Sequence, residues 1–171
     1  MRRGEILGLR WKDVDLEKAT LQVAQVLELV GRSVSLKEPK TERSRRTITL
    51  PAGVVDALRA YRKEHASLCL GLGLGKVDLV FPHWPSSKLR NPAHFSKAFT
   101  REVIAKLAHI TFHGLRHSHI TSLLRKRVPV HIVSARAGHA NPTVTWNIYS
   151  HLIPGDQEDA TALIDASAST N

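Results

Sequence analysis

One cysteine, Cys69, is all that the 171 residues contain, so no disulfide can form within the chain and a reducing compartment is the expectation. Cys69 itself reads as a small buried hydrophobe. No stretch approaches the roughly 18 apolar residues of a membrane span, and the basic Arg2-Arg3 start lacks the apolar run of a secretion signal. A cytoplasmic protein with no membrane partner is therefore expected. Internal repeats and low-complexity segments are lacking as well. The glycine-rich run at residues 70–76 is not a phosphate-cradling P-loop: three residues, not four, separate Gly71 from Gly75, and Val77 follows Lys76 where Ser or Thr is needed. It reads as a flexible connection. Acidic residues are in deficit, 15 against 25 Lys and Arg, giving a formal charge of +10. The sequence pI is about 10.3. Such a balance points to a polyanionic partner, and alone leaves DNA, RNA and an anionic membrane all open.

A hydrophobic content of 42% over this length fits one globular domain with a real core. Residues 3–10 read as the end of a helix, with Ile6, Leu7 and Leu9 apolar. Residues 20–26 alternate as a strand, and 33–36 and 45–50 are expected to pair beside it in a small antiparallel sheet, with a charged hairpin tip at 37–44. Pro51 opens a helix carrying Val54, Val55, Leu58 and Tyr61 at helical spacing. A short buried strand at 78–81 and a loop at 82–91 follow. Asn91-Pro92 and Asn141-Pro142 each supply a capping oxygen and a proline at the first helical position. The first helix buries Phe95, Phe99 and Val103. A helix from about Gly114 packs Ile120, Leu123 and Leu124, leaving His113 and Arg116 at its amino end, where unpaired N–H groups favour an anion. Val130, Val133 and Ala137 form the next stripe, which Gly138 can close in a left-handed conformation. His139 then falls in a turn, and Tyr149 near the far end of the helix from Pro142. After Pro154-Gly155 a last amphipathic piece carries Ala162, Leu163 and Ala166.

The chemistry concentrates between Phe112 and Ser150. Breaking a phosphodiester without metal requires fixed cationic donors on the non-bridging oxygens. Arg116 supplies a planar, permanently charged fork, and His113, three residues earlier, shares its face on a helix. Tyr149 offers a phenol, a covalent nucleophile once its anion is stabilised. Taken singly, each has a plainer reading: the arginines as surface cations, Tyr149 as a helix-end anchor, the 37–46 tip as a solvated hairpin. His113, His117 and His119 raise a metal site, but no carboxylate or cysteine completes a recognisable pattern. His117, His119 and His151 read as packing or backbone-contacting residues.

His113-x-x-Arg116, Gly138-His139 and Tyr149 in this order resemble the carboxy-terminal signature of the tyrosine recombinases, the phage integrase family. Residues 1–11 resemble that family's first arginine motif, and Pro39-Lys40-Thr41 before Arg46-Thr47-Ile48 resembles its lysine hairpin. Ala137 stands where a leucine usually precedes the Gly-His pair, and Gly114 where an aspartate often follows the first histidine. The resemblance implies an α+β, mainly α fold, a helical domain with a small three-stranded antiparallel sheet. It implies Arg2 and Arg116 as the phosphate clamp, with Glu5 buttressing Arg2, and Arg3 as the adjacent alternative. Lys40 would protonate the departing 5′ oxygen, with Lys37 a second candidate. His113 and His139 would hydrogen-bond the phosphate and move protons, and Tyr149 would attack. No cofactor and no metal are implied.

On this resemblance residues 1–165 correspond to the catalytic domain, lacking its first helix and an amino-terminal core-binding domain, with 166–171 a disordered tail. The expectation is an amino-terminally truncated piece with exposed apolar surface, prone to self-association and weak on DNA. The expected function is site-specific recombination of double-stranded DNA through a 3′-phosphotyrosyl intermediate by a mobile-element integrase, assembled as a tetramer on paired sites when whole. A catalytically weak or inactive DNA-binding remnant is the alternative, a type IB topoisomerase a related one, and a metal-dependent nuclease a third.

Overall fold

The computed structural model describes residues 1–31, 33–39, 44–104, 110–139, 141–149 and 161, with the backbone alone at 104, 148 and 149. The expected amphipathic piece at 162–166, the tail at 166–171 and the hairpin residues 40–43 lie outside the described residues.

A short helix, α1 (Arg3–Leu7), opens the chain, and a 3-10 turn (Trp11–Asp13) leads to the strands, five among the described residues. These are β1 (Val14–Asp15), β2 (Thr20–Gln22), β3 (Val26–Val30), β4 (Ser33–Lys37) and β5 (Thr47–Thr49). Among the described residues there follow the helices α2 (Ala52–Gly71), α3 (Pro92–Ile104), α4 (Phe112–Arg125), α5 (Val130–Ala137) and α6 (Pro142–Tyr149). The chain is thus mainly helical with small antiparallel sheets, as expected.

The strands divide differently from the expected pattern. A three-stranded sheet does form, in the order β1-β2-β5, with Val14 opposite Leu21 and Leu21 opposite Ile48. Residues 33–36 do not join it; they pair with β3 in a separate hairpin, Val26 opposite Lys37 and Val30 opposite Ser33. What splits the apparent strand at 20–26 is α1. After Val23 N–H bonds the Arg46 carbonyl at 2.9 Å, the chain turns away and runs beneath α1. Gln25 Nε2 donates to the Gly8 carbonyl there at 2.7 Å, and a Cβ on Gly4 would stand 2.5 Å from the Leu27 carbonyl oxygen. Glycine at position 4 is what permits this approach.

One core gathers Leu9, Trp11, Val14, Leu16, Leu21, Val23, Ile48, Val55 and Val80 between the sheet and α2. Tyr61 packs against it, stacked on Phe81 at 5.5 Å between ring centroids. The expected strand at 78–81 survives as a bridge, Arg10 opposite Leu79, with Val80 fully buried. Cys69 is only half-buried, its Sγ 3.7 Å from His65 Nδ1, because it lies near the end of α2 where the helix runs past the core. A second core, Ile120, Leu124, Val133 and Ala137, locks α4 onto α5. Among the described residues no helix is long and apolar enough to cross a membrane.

Candidate active site

The amino end of α4 is fixed from two sides. Thr111 Oγ1 accepts from Gly114 N–H at 2.9 Å, and Phe112 stands edge-on to both Phe95 and Phe99 of α3, each at 5.2 Å. A capped first turn wedged into an aromatic pair holds its next residues in place. His113 and Arg116 occupy that turn, and the His113 ring meets the His117 ring at 4.5 Å.

The carboxyl end of α5 faces them. Gly138 adopts φ 71°, ψ 42°, its N–H bonds Ala135 O at 3.1 Å and His139 N–H bonds Ser134 O at 3.1 Å. These two bonds form a Schellman stop. They leave the helix's last carbonyls open to outside donors, and three arginines take them in succession. Arg46 Nε donates to the Arg136 carbonyl at 3.1 Å, Arg116 Nη2 to Ala137 at 2.6 Å, and Arg2 Nη2 to Gly138 at 2.6 Å. The helix dipole adds partial negative charge at this end, which favours all three contacts.

Beneath Arg2 lies Glu5, 2% exposed. Its carboxylate accepts Arg2 N–H at 2.6 Å, Arg2 Nη1 at 3.1 Å, and two N–H groups of Arg46 at 3.0 and 2.9 Å. Burial alone would raise its pKa, but the Arg46 hydrogen bonds and the Arg2 backbone N–H outweigh that and hold it below the usual carboxylate value. The expected buttress is therefore present.

Arg2, His113, Arg116 and His139 line one cavity of about 440 Å³, together with Arg3, Gly4, His117 and Ile120. Hollows of about 650 and 720 Å³ lie along α2, so volume alone does not mark the site; convergence of donors does. Arg3, the alternative clamp, instead donates to Ser96 Oγ at 2.7 Å. His139 Nδ1 lies 2.7 Å from Thr145 Oγ1, and Thr145 is fully buried on α6. Desolvation, then the positive charges of Arg116, Arg2 and Arg46, lower the pKa of His139; desolvation, then His117 and Arg116, lower that of His113. Both imidazoles are thus biased to the neutral form until an anion arrives.

Asn141 Oδ1 caps α6 through Thr143 N–H at 3.0 Å, and the backbone of Tyr149 ends that helix. Lys40 lies outside the described residues, and Lys37 pairs with Glu28 at 3.1 Å on the hairpin. Among the described residues no three of His, Cys, Asp and Glu stand together as a metal cluster.

Two residues of the site escaped the sequence reading. Arg46 was visible only as a neighbour of the lysine motif, because its partners are 41 and 90 positions away. Thr145 gave no sign beyond a hydroxyl on the buried side of a short helix.

Comparison with known proteins bears on the family and the fold. The chain is 32% identical to a tyrosine recombinase XerC-like protein of Caldanaerobacter subterraneus, over 94% of this chain and 44% of the relative. It is 26% identical to the ICEBs1 integrase of Bacillus subtilis, over 96% and 45%. The chain therefore spans less than half the length of these relatives. In fold it resembles the Tn1549 transposon integrase solved in complex with transposon right-end DNA, with a TM-score of 0.78 at 22% identity over 98% of this chain and 55% of that one. It also resembles the XerA recombinase, with a TM-score of 0.65 at 22% identity over 95% and 52%. Residues 1–155, most of the chain, match the profile of the phage integrase family, and the chain belongs to it.

Proposed function

We propose that this chain carries the strand-cleaving and rejoining chemistry of a tyrosine recombinase acting on double-stranded DNA, in a mobile-element integrase. The observation that carries the reading is the convergence of Arg2, His113, Arg116 and His139, from opposite ends of the sequence, on one cavity. Arg2 and Arg116 grip the non-bridging oxygens of the scissile phosphate and offset the charge that grows there. His113 and His139 hydrogen-bond the same oxygens, and the one of the two that is neutral in the complex accepts the single phenol proton. Tyr149 Oη attacks phosphorus, the P–O5′ bond breaks, and the 5′ oxygen leaves as a hydroxyl with a proton from Lys40. A 5′ hydroxyl from another strand then attacks the 3′-phosphotyrosine and regenerates the phenol. The covalent link conserves the bond energy, so positioning and electrostatics suffice.

DNA as partner is supported by the net charge of +10 and by the DNA-bound state of the Tn1549 integrase. A tetramer on paired sites and a cytoplasmic location fit this reading. The test is a nicked duplex from a random-site library, whose 5′ fragment diffuses away after cleavage. Wild type forming a denaturation-resistant adduct in the presence of chelator, with none from Tyr149→Phe, is the expected result. DNA binding without an adduct from either protein, even in the full-length context, would favour a non-catalytic DNA-binding role instead.

A further inference from the structure

Arg46 is buried, its side chain 8% exposed, so it is poorly placed to touch DNA, yet every arm of its guanidinium is engaged. Nη1 and Nη2 grip the Glu5 carboxylate, Nε holds the Arg136 carbonyl, and Nη1 also reaches Ser44 O at 3.3 Å. Glu5 in turn fixes Arg2 by its backbone and its side chain, and Arg2 closes the ring on Gly138. The Arg46 side chain also lies against Gly138: a Cβ there would stand 2.5 Å from Nη1 and 2.6 Å from Cζ. One guanidinium thus joins the start of β5 to α1 and to the end of α5, the two elements that carry or hold Arg2, Arg116 and His139.

We propose that Arg46 is the positioning residue that sets Arg2 and the α5 carboxyl end, and through them the geometry of the phosphate clamp. The inference rests on Arg2 and Arg116 being that clamp. Arg2 is 46% exposed, so solvent screens its own pairing with Glu5; the buried contact to Arg46 is what keeps the carboxylate aimed. Lysine cannot substitute, because a single ammonium cannot meet a carboxylate and two carbonyls in one plane.

Two variants separate positioning from stability. Arg46→Lys keeps the charge and loses the fork; Gly138→Ala keeps Arg46 intact and displaces it, in a backbone conformation with φ 71° that already disfavours alanine. In DNA-free protein, arginine side-chain NMR reports rotation of the Arg2 and Arg116 guanidiniums, and inorganic phosphate is titrated against the His113 and His139 ring signals. In the folded fraction of both variants the slow rotation at Arg2 and Arg116 is expected to be lost, and phosphate affinity to fall about tenfold or more. A merely structural role lowers the melting temperature and leaves both readouts as in wild type; that result, in either variant, overturns the proposal. Wild type that binds no phosphate, with Arg2 loosened in Arg46→Lys, would refute the phosphate-clamp reading while upholding the positioning.

Discussion

Replacing Glu5 by glutamine would test the centre of this arrangement. Glutamine keeps the shape and one carbonyl oxygen, but it removes the charge and turns an amide donor toward the N–H groups of Arg2 and Arg46. The Arg2 share is small, since that side chain is 46% exposed and exposed pairs contribute about 0–1 kcal/mol. The Arg46 share decides the outcome: both partners are buried, at 8% and 1% side-chain exposure, and breaking such a pair from one side costs about 3–5 kcal/mol. Because glutamine retains one acceptor, the lower end applies, and about 3 kcal/mol corresponds to a fall of about 6–12 °C in a domain of this size. The folded-state pKa of Glu5 is lowered from 4.5, so its stabilisation is fully present above that value and disappears as pH falls through the folded-state value. Urea melts of the two proteins should therefore differ near neutral pH and converge on acidification. A difference under about 1 kcal/mol near pH 7, or one that stays constant down to about pH 3, would refute the reasoning.

Further outcomes follow from the same geometry. Thr145→Val removes the hydroxyl 2.7 Å from His139 Nδ1; stability should drop by about 1–3 kcal/mol, and the ring signals of His139 should shift to a different tautomer balance. A lowered pKa at His113 and His139 means that a bound anion should restore protonation at one of the pair, the other staying neutral to accept the phenol proton. Calorimetry of DNA binding in buffers of different ionisation enthalpy, near pH 6, should then show proton uptake and tighter binding as pH falls; no buffer dependence would count against it. Asn141→Ala removes the oxygen that receives Thr143 N–H, and a loss of about 1 kcal/mol in a denaturant melt is expected. Arg116→Ala should reduce the slope of log affinity against log salt by about 1 if the side chain meets a phosphate.

Sequence alone located the parts whose signals are local. Both Asn-Pro pairs cap helices, Gly138 stops α5 in the left-handed region, and His113 and Arg116 lie on one turn. Each of these is decided within about four residues, where spacing and backbone preference suffice. Strand pairing was harder: residues 20–26 alternate smoothly, and nothing local says that Val23 ends one pairing so that Leu27 can slide under Gly4. Arg46 was harder still. A guanidinium beside a threonine and a strand looks like any edge-strand cation, and only the folded chain brings Glu5 and the Arg136 carbonyl to it.

The three successive carbonyls at the end of α5 have a consequence for charge. A carboxylate that fixed each arginine would also cancel it, leaving little to attract a polyanion. Carbonyls fix direction without cancelling: Arg2 and Arg46 meet at the one carboxylate of Glu5, and Arg2, Arg46 and Arg116 are each also aimed by a backbone oxygen that carries no full charge. Backbone oxygens are also indifferent to pH and cannot be titrated away. The fold thus gathers mutually repelling cations before any substrate arrives and keeps their field pointing outward, so the work of assembling them is done at folding and the incoming phosphate meets a site already set.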